Sequence, residues 1–345
     1  MAKVAINGFG RIGRAFFKMV VDHPDFEVVA INDLGQLDNL AYLLTYDTAY
    51  GRSGLDITVS EKQLTVNGKP IAFSQERDPK ALPWRSLDVD IVVEATGVFS
   101  SYEQSKQHLE AGAKRVVISG PVKDDPAAAG ITGATVLMGV NDATLSTCEI
   151  SSNASCTTNA TSPLVAILKD AVGIEKAILN TVHAYTATQS VVDGPAKDWR
   201  KGRAAAQNII PTSTGAAIAT TKAHTDLVGK FDGIAIRVPV PVGSIVDVTF
   251  ISSSPTSAQA INEALSQAAS SSSWRQLFAV TNEPIVSSDI IGARYACIAD
   301  LSMTRVVDGN LVKVLAWYDN ESSYTHTLVE HVAAVARFFN TKAGA

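Results

Sequence analysis

The run NGFGRIG, at residues 7–13, decides the fold of the first part of the chain. It follows a strand-like stretch, Lys3–Asn7, and precedes a stretch with the apolar spacing of a helix, Arg11–Val21. A G-x-G-x-x-G turn between a strand and a helix is typical of sites that bind dinucleotides. Gly8 permits the tight turn, Gly10 lets a pyrophosphate approach the backbone, and Gly13 lets the helix pack closely on the strand. The N-terminus of that helix offers unpaired N–H groups to the phosphates.

A carboxylate after the next strand indicates which dinucleotide is bound. Asp33 follows Gly13 by 20 residues and comes directly after the strand-like run Phe26–Asn32. Its carboxylate can accept hydrogen bonds from ribose hydroxyls, and it repels a 2′-phosphate. We therefore predict NAD, and not NADP, as the cofactor. The glycines alone leave one alternative, an ordinary strand–helix turn built from small residues.

Short apolar runs alternate with amphipathic stretches through the first 150 residues. This rhythm predicts βαβ units around a mainly parallel sheet, which is an α/β fold of the Rossmann type. Further runs predicted as buried strands are Asp90–Val93, Val116–Ser119 and Val136–Val140. Later in the chain, Ile245–Ile251 alternates apolar and polar side chains, as expected for a strand with one face in water. A chain of 345 residues is long enough that we expect two domains.

The composition limits the class of protein. A net charge of −5 argues against a general nucleic-acid-binding protein, because neutralising phosphates needs a basic face. The cysteines Cys148, Cys156 and Cys297 are too few and too scattered for a disulfide framework or a zinc site, so we predict no metal. No stretch approaches 18 uninterrupted apolar residues, and the first residues do not resemble a signal peptide. These features predict a cytoplasmic protein with neither a membrane nor a nucleic acid as partner.

One cysteine and one histidine are candidates for covalent catalysis. Cys156 lies at the start of a predicted helix that ends near Gly173. A thiol at a helix N-terminus is close to the positive end of the helix dipole, which lowers its pKa and favours the thiolate. His183 lies 27 residues later, at the end of the predicted strand Ala177–His183, and together the two would form a nucleophile with its base. The residues alone leave open a second interpretation, a small buried cysteine and a structural histidine.

Six sequence blocks resemble the phosphorylating glyceraldehyde-3-phosphate dehydrogenases, and they follow one another in the order and spacing of that family. The blocks are NGFGRIGR at 7–14, SNASCTTN at 152–159, HAYTATQ at 183–189, NIIPTSTGAA at 208–217, RVP at 237–239 and WYDNE at 317–321. The resemblance covers nearly the whole chain. It implies an NAD-binding Rossmann domain at residues 1–155, completed by a C-terminal helix at 322–345. It also implies a catalytic domain at residues 156–321, of α+β class with a mixed, largely antiparallel sheet.

The resemblance implies a glycolytic and gluconeogenic reaction, the oxidative phosphorylation of D-glyceraldehyde 3-phosphate to 1,3-bisphosphoglycerate with NAD and inorganic phosphate. Cys156 would attack the aldehyde to form a thiohemiacetal, with His183 as the base. Hydride transfer to NAD would leave an acyl-thioester. Inorganic phosphate would then cleave the thioester and release an acyl phosphate.

Further site residues follow from the same resemblance. Thr186 and Arg237 would hold the phosphate of the substrate. The attacking phosphate would be held by Ser155, Thr157, Thr214 and Gly215, and the resemblance does not decide which of Arg200, Lys201 and Arg203 assists. The residues implied for NAD are Gly8, Gly10, Arg11, Ile12, Gly13, Asp33, Arg77, Thr96, Ser119 and Asn320.

The segment Thr186–Ser213 shows little periodicity and contains two glycines and two prolines. A long irregular loop inside a compact domain is usually disordered or functional. In the family this loop packs against a neighbouring subunit near its nucleotide site. The resemblance therefore implies a homotetramer.

Three positions depart from the family pattern. Ala160 replaces a second cysteine four residues after the nucleophile, and Gly120 replaces an alanine. Ser322 and Ser323 replace an aromatic residue and a glycine. Gly120 and these two serines lie near the nucleotide in the family, so we expect an effect on the affinity for NAD. Two alternatives remain: an erythrose-4-phosphate dehydrogenase, which releases its acyl enzyme to water, and a non-catalytic NAD-binding scaffold.

Overall fold

The computed structural model describes residues 1–340, and these form two compact units. The first unit comprises residues 1–154 and 328–340, and the second comprises residues 155–327. The first boundary lies one residue before the expected one, and the second lies inside the last helix and not at its start. The final part of the helix expected at 322–345, residues 341–345, lies outside the described residues.

A sheet that is mostly parallel forms the centre of the first unit. Its strands run in the order β10-β11-β9-β8-β1-β2-β7-β6-β5, and only β5, β6 and β7 pair antiparallel, whereas β3 and β4 form a separate hairpin. The strands are β1 Ala2–Asn7, β2 Phe26–Asn32, β3 Tyr46–Asp47, β4 Gly51–Arg52, β5 Ile57–Ser60, β6 Gln63–Val66, β7 Lys69–Ser74, β8 Ile91–Glu94, β9 Arg115–Ile118, β10 Gly133–Thr135 and β11 Ile150–Ser152. The helices are α1 Arg11–Val20, α2 Leu37–Thr45 and α3 Tyr102–Glu110. The expected Rossmann-type fold is thus confirmed.

The direction of winding reverses next to β1. From β1 the chain proceeds outward to β2 and β7 on one side, and it later returns to place β8 and β9 on the other. The loops that follow β1 and β8 therefore leave neighbouring parallel strands at the same edge of the sheet. In doubly wound sheets, ligands bind in the crevice at this switch point.

The strand predicted at Val136–Val140 is wrong. Strand β10 ends at Thr135, and the following residues form a turn in which the N–H of Val140 donates to the carbonyl of Leu137 at 3.0 Å. Val136 and Leu137 are fully buried. The apolar run thus reflects burial beneath the sheet, and periodicity could not distinguish that from a buried strand.

The second unit is built around a mixed, largely antiparallel sheet, as expected. Its strand order is β13-β14-β12-β15-β19-β17-β16, with β18 beside β19, and only the pairs β12–β14 and β16–β17 are parallel. The helices are α4 Cys156–Val172, α5 Ala216–Thr221, α6 Ala258–Ser270 and α7 Ser322–Asn340. The strands are β12 Lys176–Ala184, β13 Ile210–Ser213, β14 Phe231–Val238, β15 Ser244–Ile251, β16 Phe278–Thr281, β17 Cys297–Asp300, β18 Arg305–Val307 and β19 Leu311–Tyr318.

Burial explains the elements that the sequence pattern predicted best. In β15, Val246, Val248 and Phe250 are fully buried, whereas the alternate residues are partly exposed. Helix α7 buries Leu328 and Val332 in the core of the first unit. The segment Thr186–Ser213 is less irregular than expected, because its last four residues form β13.

Candidate active site

Local capping places Cys156 at the first position of α4. The hydroxyl of Ser155 accepts a hydrogen bond from the N–H of Thr158 at 3.1 Å, which caps the helix. Just before it, Ala154 adopts a left-handed backbone with φ of 53°, a conformation that L-residues other than glycine rarely adopt. Gly173 caps the other end of α4. The helix expected from Cys156 to Gly173 is confirmed.

The structure brings the predicted nucleophile and base together. The Sγ atom of Cys156 lies 3.3 Å from Nε2 of His183. His183 is near the end of β12, and the parallel register between β12 and β14 places Arg237 directly beside it. His183 is buried, whereas Cys156 remains partly exposed, so a substrate can reach the thiol.

Nδ1 of His183 lies between a cation and a backbone carbonyl. The Nη1 atom of Arg237 lies 2.6 Å from this nitrogen and 3.0 Å from the carbonyl oxygen of Ala184, and that oxygen lies 2.6 Å from Nδ1. A guanidinium only donates hydrogen bonds and a carbonyl only accepts them. Nδ1 accepts while Arg237 is directed at it, and it donates to Ala184 when Arg237 is directed elsewhere.

Burial dominates the pKa values of both reactive groups. Burial raises the pKa of the Cys156 thiol, although the Arg237 charge and hydrogen bonds at the start of α4 act in the opposite direction. Burial and the neighbouring Arg237 lower the pKa of His183 to about 3. The sequence had predicted a lowered thiol pKa from the helix terminus alone. The structure corrects this, because desolvation of the sulfur outweighs the dipole, and the free pair is a neutral thiol beside a neutral imidazole.

The sequence interpretation missed Tyr318, at the end of β19. Its buried hydroxyl lies 2.9 Å from the hydroxyl of Thr157 and 2.8 Å from that of Thr181, and its ring stands edge-on to the ring of His183 at 5.9 Å. This tyrosine therefore ties the first turn of α4 to β12 and holds the sulfur and the imidazole at their separation. Tyr318 belongs to the block WYDNE, so the sequence did contain a signal, but no chemistry pointed to a role for it.

The remaining predicted residues of the second unit lie on loops and short elements. Thr186 follows β12, and its hydroxyl contacts that of Thr188 at 2.9 Å. Thr214 and Gly215 precede α5, where the Thr214 hydroxyl accepts from the N–H of Ala216 at 3.2 Å. The carboxamide oxygen of Asn320 accepts hydrogen bonds from Gly243 and Ser244, both at 3.1 Å. Of the three candidate cations on the long loop, Arg203 pairs with Asp193 at 2.8 Å and Lys201 pairs with Asp198 at 3.9 Å.

A pocket of about 460 Å³ lies at the switch point of the first unit. Gly8, Gly10, Asp33, Arg77 and Thr96, all predicted for the dinucleotide, line it. The carboxylate of Asp33 accepts from the N–H groups of Phe9 at 2.6 Å and Gly35 at 2.8 Å, so it stands at the mouth of the glycine turn.

The other predicted dinucleotide residues surround this turn without lining the pocket. Arg11 donates to Asp47 at 2.8 Å, and Ile12 packs against the core. A Cβ atom on Gly13 would overlap the carbonyl oxygen of Gly8, so only glycine fits there. The N–H of Ser119 donates to the carbonyl of Glu94 at 2.8 Å.

The described residues contain neither a cluster of metal ligands nor a membrane-spanning helix. Within residues 1–340, no three His, Cys, Asp or Glu side chains are grouped so that they could hold a metal ion. In the same part of the chain, no helix combines the length and the apolar character that crossing a membrane requires.

Two family models match the sequence. One describes the NAD-binding domain of glyceraldehyde 3-phosphate dehydrogenase and matches residues 2–102, and the other describes the C-terminal domain and matches residues 155–320. The chain belongs to the glyceraldehyde-3-phosphate dehydrogenase family. It is therefore an NAD-dependent oxidoreductase, which confirms the predicted class of enzyme and its cofactor.

Relatives from distant organisms match along nearly their full length. The chain is 45% identical to the glyceraldehyde-3-phosphate dehydrogenase of Clostridium acetobutylicum, over 98% of this chain and 99% of the relative. It is 44% identical to that of Geobacillus stearothermophilus, over 97% and 98%. It is 45% identical to that of the fungus Podospora anserina, also over 97% and 98%.

The pocket of the first unit fits NAD on structural grounds. A Cβ atom on Gly10 would have no protein atom within 4 Å, so open space faces the backbone where a pyrophosphate would approach. Gly10 immediately precedes α1, and the N-terminus of a helix favours the binding of an anion. Asp33 supplies the carboxylate expected beside an unphosphorylated ribose.

Of the departures from the family pattern, the two serines make local hydrogen bonds. Ser322 and Ser323 are buried at the start of α7, where the N–H of Ser322 donates to Asp319 at 2.8 Å and the hydroxyl of Ser323 donates to Ala293 at 3.2 Å. A Cβ atom on Gly120 would meet nothing within 4 Å. The glycine is therefore not required by the packing of the first unit.

Proposed function

We propose that this protein oxidises D-glyceraldehyde 3-phosphate to 1,3-bisphosphoglycerate, using NAD and inorganic phosphate, through a thioester on Cys156. The observation that carries the proposal is the 3.3 Å contact between the Cys156 sulfur and His183, with Arg237 beside the imidazole. Membership of the family supports the substrate. The two units correspond in this proposal to an NAD-binding domain and a catalytic domain.

The first step is attack of the Cys156 sulfur on the aldehyde carbon. The new carbon–sulfur bond gives a thiohemiacetal. The thiol proton passes through His183 to the former carbonyl oxygen, which leaves the imidazole neutral again. His183 can serve as a base because its lowered pKa leaves it neutral at physiological pH. The N–H groups at the start of α4 stabilise negative charge as it develops on the sulfur.

The next steps convert the thiohemiacetal to an acyl phosphate. The residues of the first-unit pocket would hold NAD, which would supply an acceptor for the hydride of the former aldehyde carbon. The His183 imidazole takes the hydroxyl proton as this hydride leaves, and an acyl-thioester remains on Cys156. Inorganic phosphate attacks the thioester carbon, and the carbon–sulfur bond breaks. The sulfur leaves as a thiolate and takes the proton from His183, which returns both groups to their neutral state.

Arg237 connects substrate binding to the state of His183. In this proposal the phosphate of the substrate binds Arg237 and Thr186, and a dianion there offsets the cationic charge that lowers the pKa of His183. Arg237 N–H groups that turn to the phosphate also release Nδ1, which can then donate to the carbonyl of Ala184, 2.6 Å away. Nε2 is thereby freed to accept the thiol proton. Binding of the substrate phosphate thus helps His183 to accept the proton of the thiol that attacks the substrate.

Hydroxyls and backbone N–H groups form the site for the attacking phosphate in this proposal. Ser155, Thr157, Thr214 and Gly215 supply them, and Arg11, Ile12, Ser119 and Asn320 complete the NAD contacts begun by the pocket residues. The hydroxyl of Thr157 already forms a hydrogen bond with the hydroxyl of Tyr318, so it must exchange this partner for the phosphate when the phosphate binds.

Exposed apolar side chains support a homotetramer. Within the segment Thr186–Ser213, Val191 is 83% exposed, Val192 73%, Trp199 88% and Ile209 72%. Side chains of this kind rarely remain in water together unless another surface covers them. We infer a neighbouring subunit as the cover, in a cytoplasmic tetramer, and light scattering should give four times the mass of one chain.

Phosphate dependence tests the proposed reaction. With D-glyceraldehyde 3-phosphate and NAD but no phosphate, we expect a burst of one NADH per Cys156 and then arrest at the thioester, and added phosphate should restore turnover. Unchanged turnover without phosphate, or faster turnover with erythrose 4-phosphate, would refute the proposal in favour of a water-releasing enzyme. A missing burst would indicate a scaffold.

Iodoacetamide provides the matched control. Labelling of Cys156 should abolish the burst, whereas the buried Cys148 should remain unlabelled. A Cys148→Ser variant should therefore show the same burst as the wild type, and a Cys156→Ser variant should show none.

A further inference from the structure

A set of buried polar side chains lies behind the NAD pocket, and the family resemblance gives none of them a role. Trp84 and His108 are 0% exposed, Asn7 is 1% exposed and Glu94 is 2% exposed. All four belong to the first unit. A buried carboxylate is costly unless hydrogen bonds replace its hydration, so its partners indicate what it does.

The two oxygens of Glu94 are bonded to two different parts of the pocket. Oε1 accepts from the N–H of Thr96 at 2.8 Å and also from the Thr96 hydroxyl. Oε2 accepts from the side-chain amide of Asn7 at 2.6 Å and faces Nε2 of His108 at 3.0 Å. The hydroxyl oxygen of Thr96 in turn accepts a hydrogen bond from the N–H of Val98 at 3.0 Å. Glu94 thus orders the loop after β8 and the end of β1 together.

Trp84 identifies the protonation state of His108. The indole nitrogen Nε1 of Trp84 lies 3.1 Å from Nδ1 of His108. An indole N–H can only donate, so Nδ1 must accept and the imidazole is neutral, with its proton on Nε2. That proton is directed at Glu94. Glu94 therefore faces a neutral donor.

The network continues to a third segment of the pocket. The side-chain oxygen of Asn7 accepts from the amide of Asn32 at 2.8 Å, and the oxygen of Asn32 accepts from the N–H of Glu76 at 2.9 Å. Asn7, Asn32, Glu76 and Thr96 all line the pocket. The glycine turn after β1 and the loop after β8 are also in contact, because a Cβ atom on Gly8 would lie 2.5 Å from the backbone nitrogen of Thr96.

We propose that Glu94 is a positioning residue for NAD binding, with His108 as its neutral donor and Trp84 as the group that fixes the tautomer of His108. One buried carboxylate holds the glycine turn and the loop after β8 in the geometry that receives the dinucleotide. Segments ordered before binding do not lose conformational freedom when the ligand arrives. Glu94, His108 and Trp84, which do not line the pocket, therefore increase the affinity for NAD through the residues that do.

Two substitutions at His108 separate positioning from simple stability. Both remove a buried ring, but His108→Gln keeps an N–H donor near the position of Nε2, whereas His108→Asn does not. A third variant, Glu94→Gln, keeps the shape and removes the charge, so its amide N–H groups oppose those of Asn7 and His108. The Kd for NAD is measured by titration calorimetry on the full-length protein, well below the melting temperature of each variant. Hydrogen exchange of the peptide at residues 95–99 is followed without NAD.

We expect Kd to rise about tenfold in Glu94→Gln, equivalent to about 1.4 kcal/mol, and about threefold in His108→Asn. His108→Gln should stay within about twofold of wild type. The loop at 95–99 should exchange faster in the first two variants only. A Kd for Glu94→Gln equal to that of the wild type would overturn the proposal, even with a lower melting temperature. If Glu94→Gln does not fold, equal Kd values for the two His108 variants would overturn it.

Discussion

Gly10 and Gly13 lie three residues apart in the dinucleotide turn, but we expect an added methyl group to have different effects at the two positions. A Cβ atom on Gly10 would meet no protein atom within 4 Å, whereas one on Gly13 would overlap the carbonyl oxygen of Gly8. Gly10→Ala should therefore affect the ligand, and Gly13→Ala should affect the fold. The two variants serve as controls for each other.

The structure allows both magnitudes to be worked out. Gly10 has φ of −70°, which alanine adopts, so its replacement costs only the weaker capping of α1, about 0.5–1 kcal/mol. The new methyl group would stand where the pyrophosphate approaches, and losing one charged hydrogen bond of about 1.5–3 kcal/mol would weaken NAD binding by about 10–100-fold. At Gly13 the added atom meets backbone and cannot move aside, so the cost is at the upper end of overpacking, about 3 kcal/mol.

Calorimetric titration with NAD and urea unfolding without NAD would measure the two effects separately. Gly10→Ala should keep nearly the unfolding midpoint of the wild type and bind NAD at least about tenfold more weakly. Gly13→Ala should unfold at clearly lower urea concentration. If Gly10→Ala binds NAD like the wild type, or if Gly13→Ala is as stable as the wild type, the assignment of these two glycines is refuted.

Three further predictions concern single side chains. His183→Asn should lower kcat by about 10²–10⁴-fold through loss of the base, with an unchanged Kd for NAD. As a control, His326→Asn should have the kcat of the wild type. A kcat for His183→Asn within about threefold of the wild type would contradict the role of His183 as the base. Asp33→Ser should raise kcat/KM for NADP relative to NAD by at least about tenfold, since the repelling carboxylate is gone, and an unchanged ratio would show that another group selects the cofactor. Burial lowers the pKa of His331 to about 3, so the unfolded chain takes up a proton there below about pH 6.5 and the folded chain does not. The free energy of unfolding should therefore decrease as the pH is lowered, and this group should account for a loss of about 2 kcal/mol at pH 5. In His331→Gln the urea midpoint should decline less steeply between pH 7.5 and pH 5 than in the wild type. Equal declines in the two proteins would contradict this role of His331.

Local pattern was sufficient for several individual elements and for the class of the first unit. The glycine turn, the alternation in β15 and the helix between Cys156 and Gly173 each follow from contacts only a few residues apart, which a sequence records directly. The one strand placed wrongly, Val136–Val140, shows the limit of that information, because a buried turn and a buried strand are equally apolar. The identity of the nucleophile depended on the ordered blocks, since a single cysteine has no distinctive spacing.

Only the tertiary structure could decide the state of the site. The 3.3 Å contact between Cys156 and His183 depends on how β12 pairs with β14 and packs against α4, and 27 residues of sequence separation do not encode it. The direction of the thiol pKa shift also depends on the tertiary structure. Atoms from residues far along the chain desolvate the sulfur, and this raises the pKa by more than the helix terminus lowers it. Tyr318 and Glu94 act through buried hydrogen bonds to residues far along the chain. The sequence by itself determined which groups are present, and packing determined their charge, their tautomers and their partners.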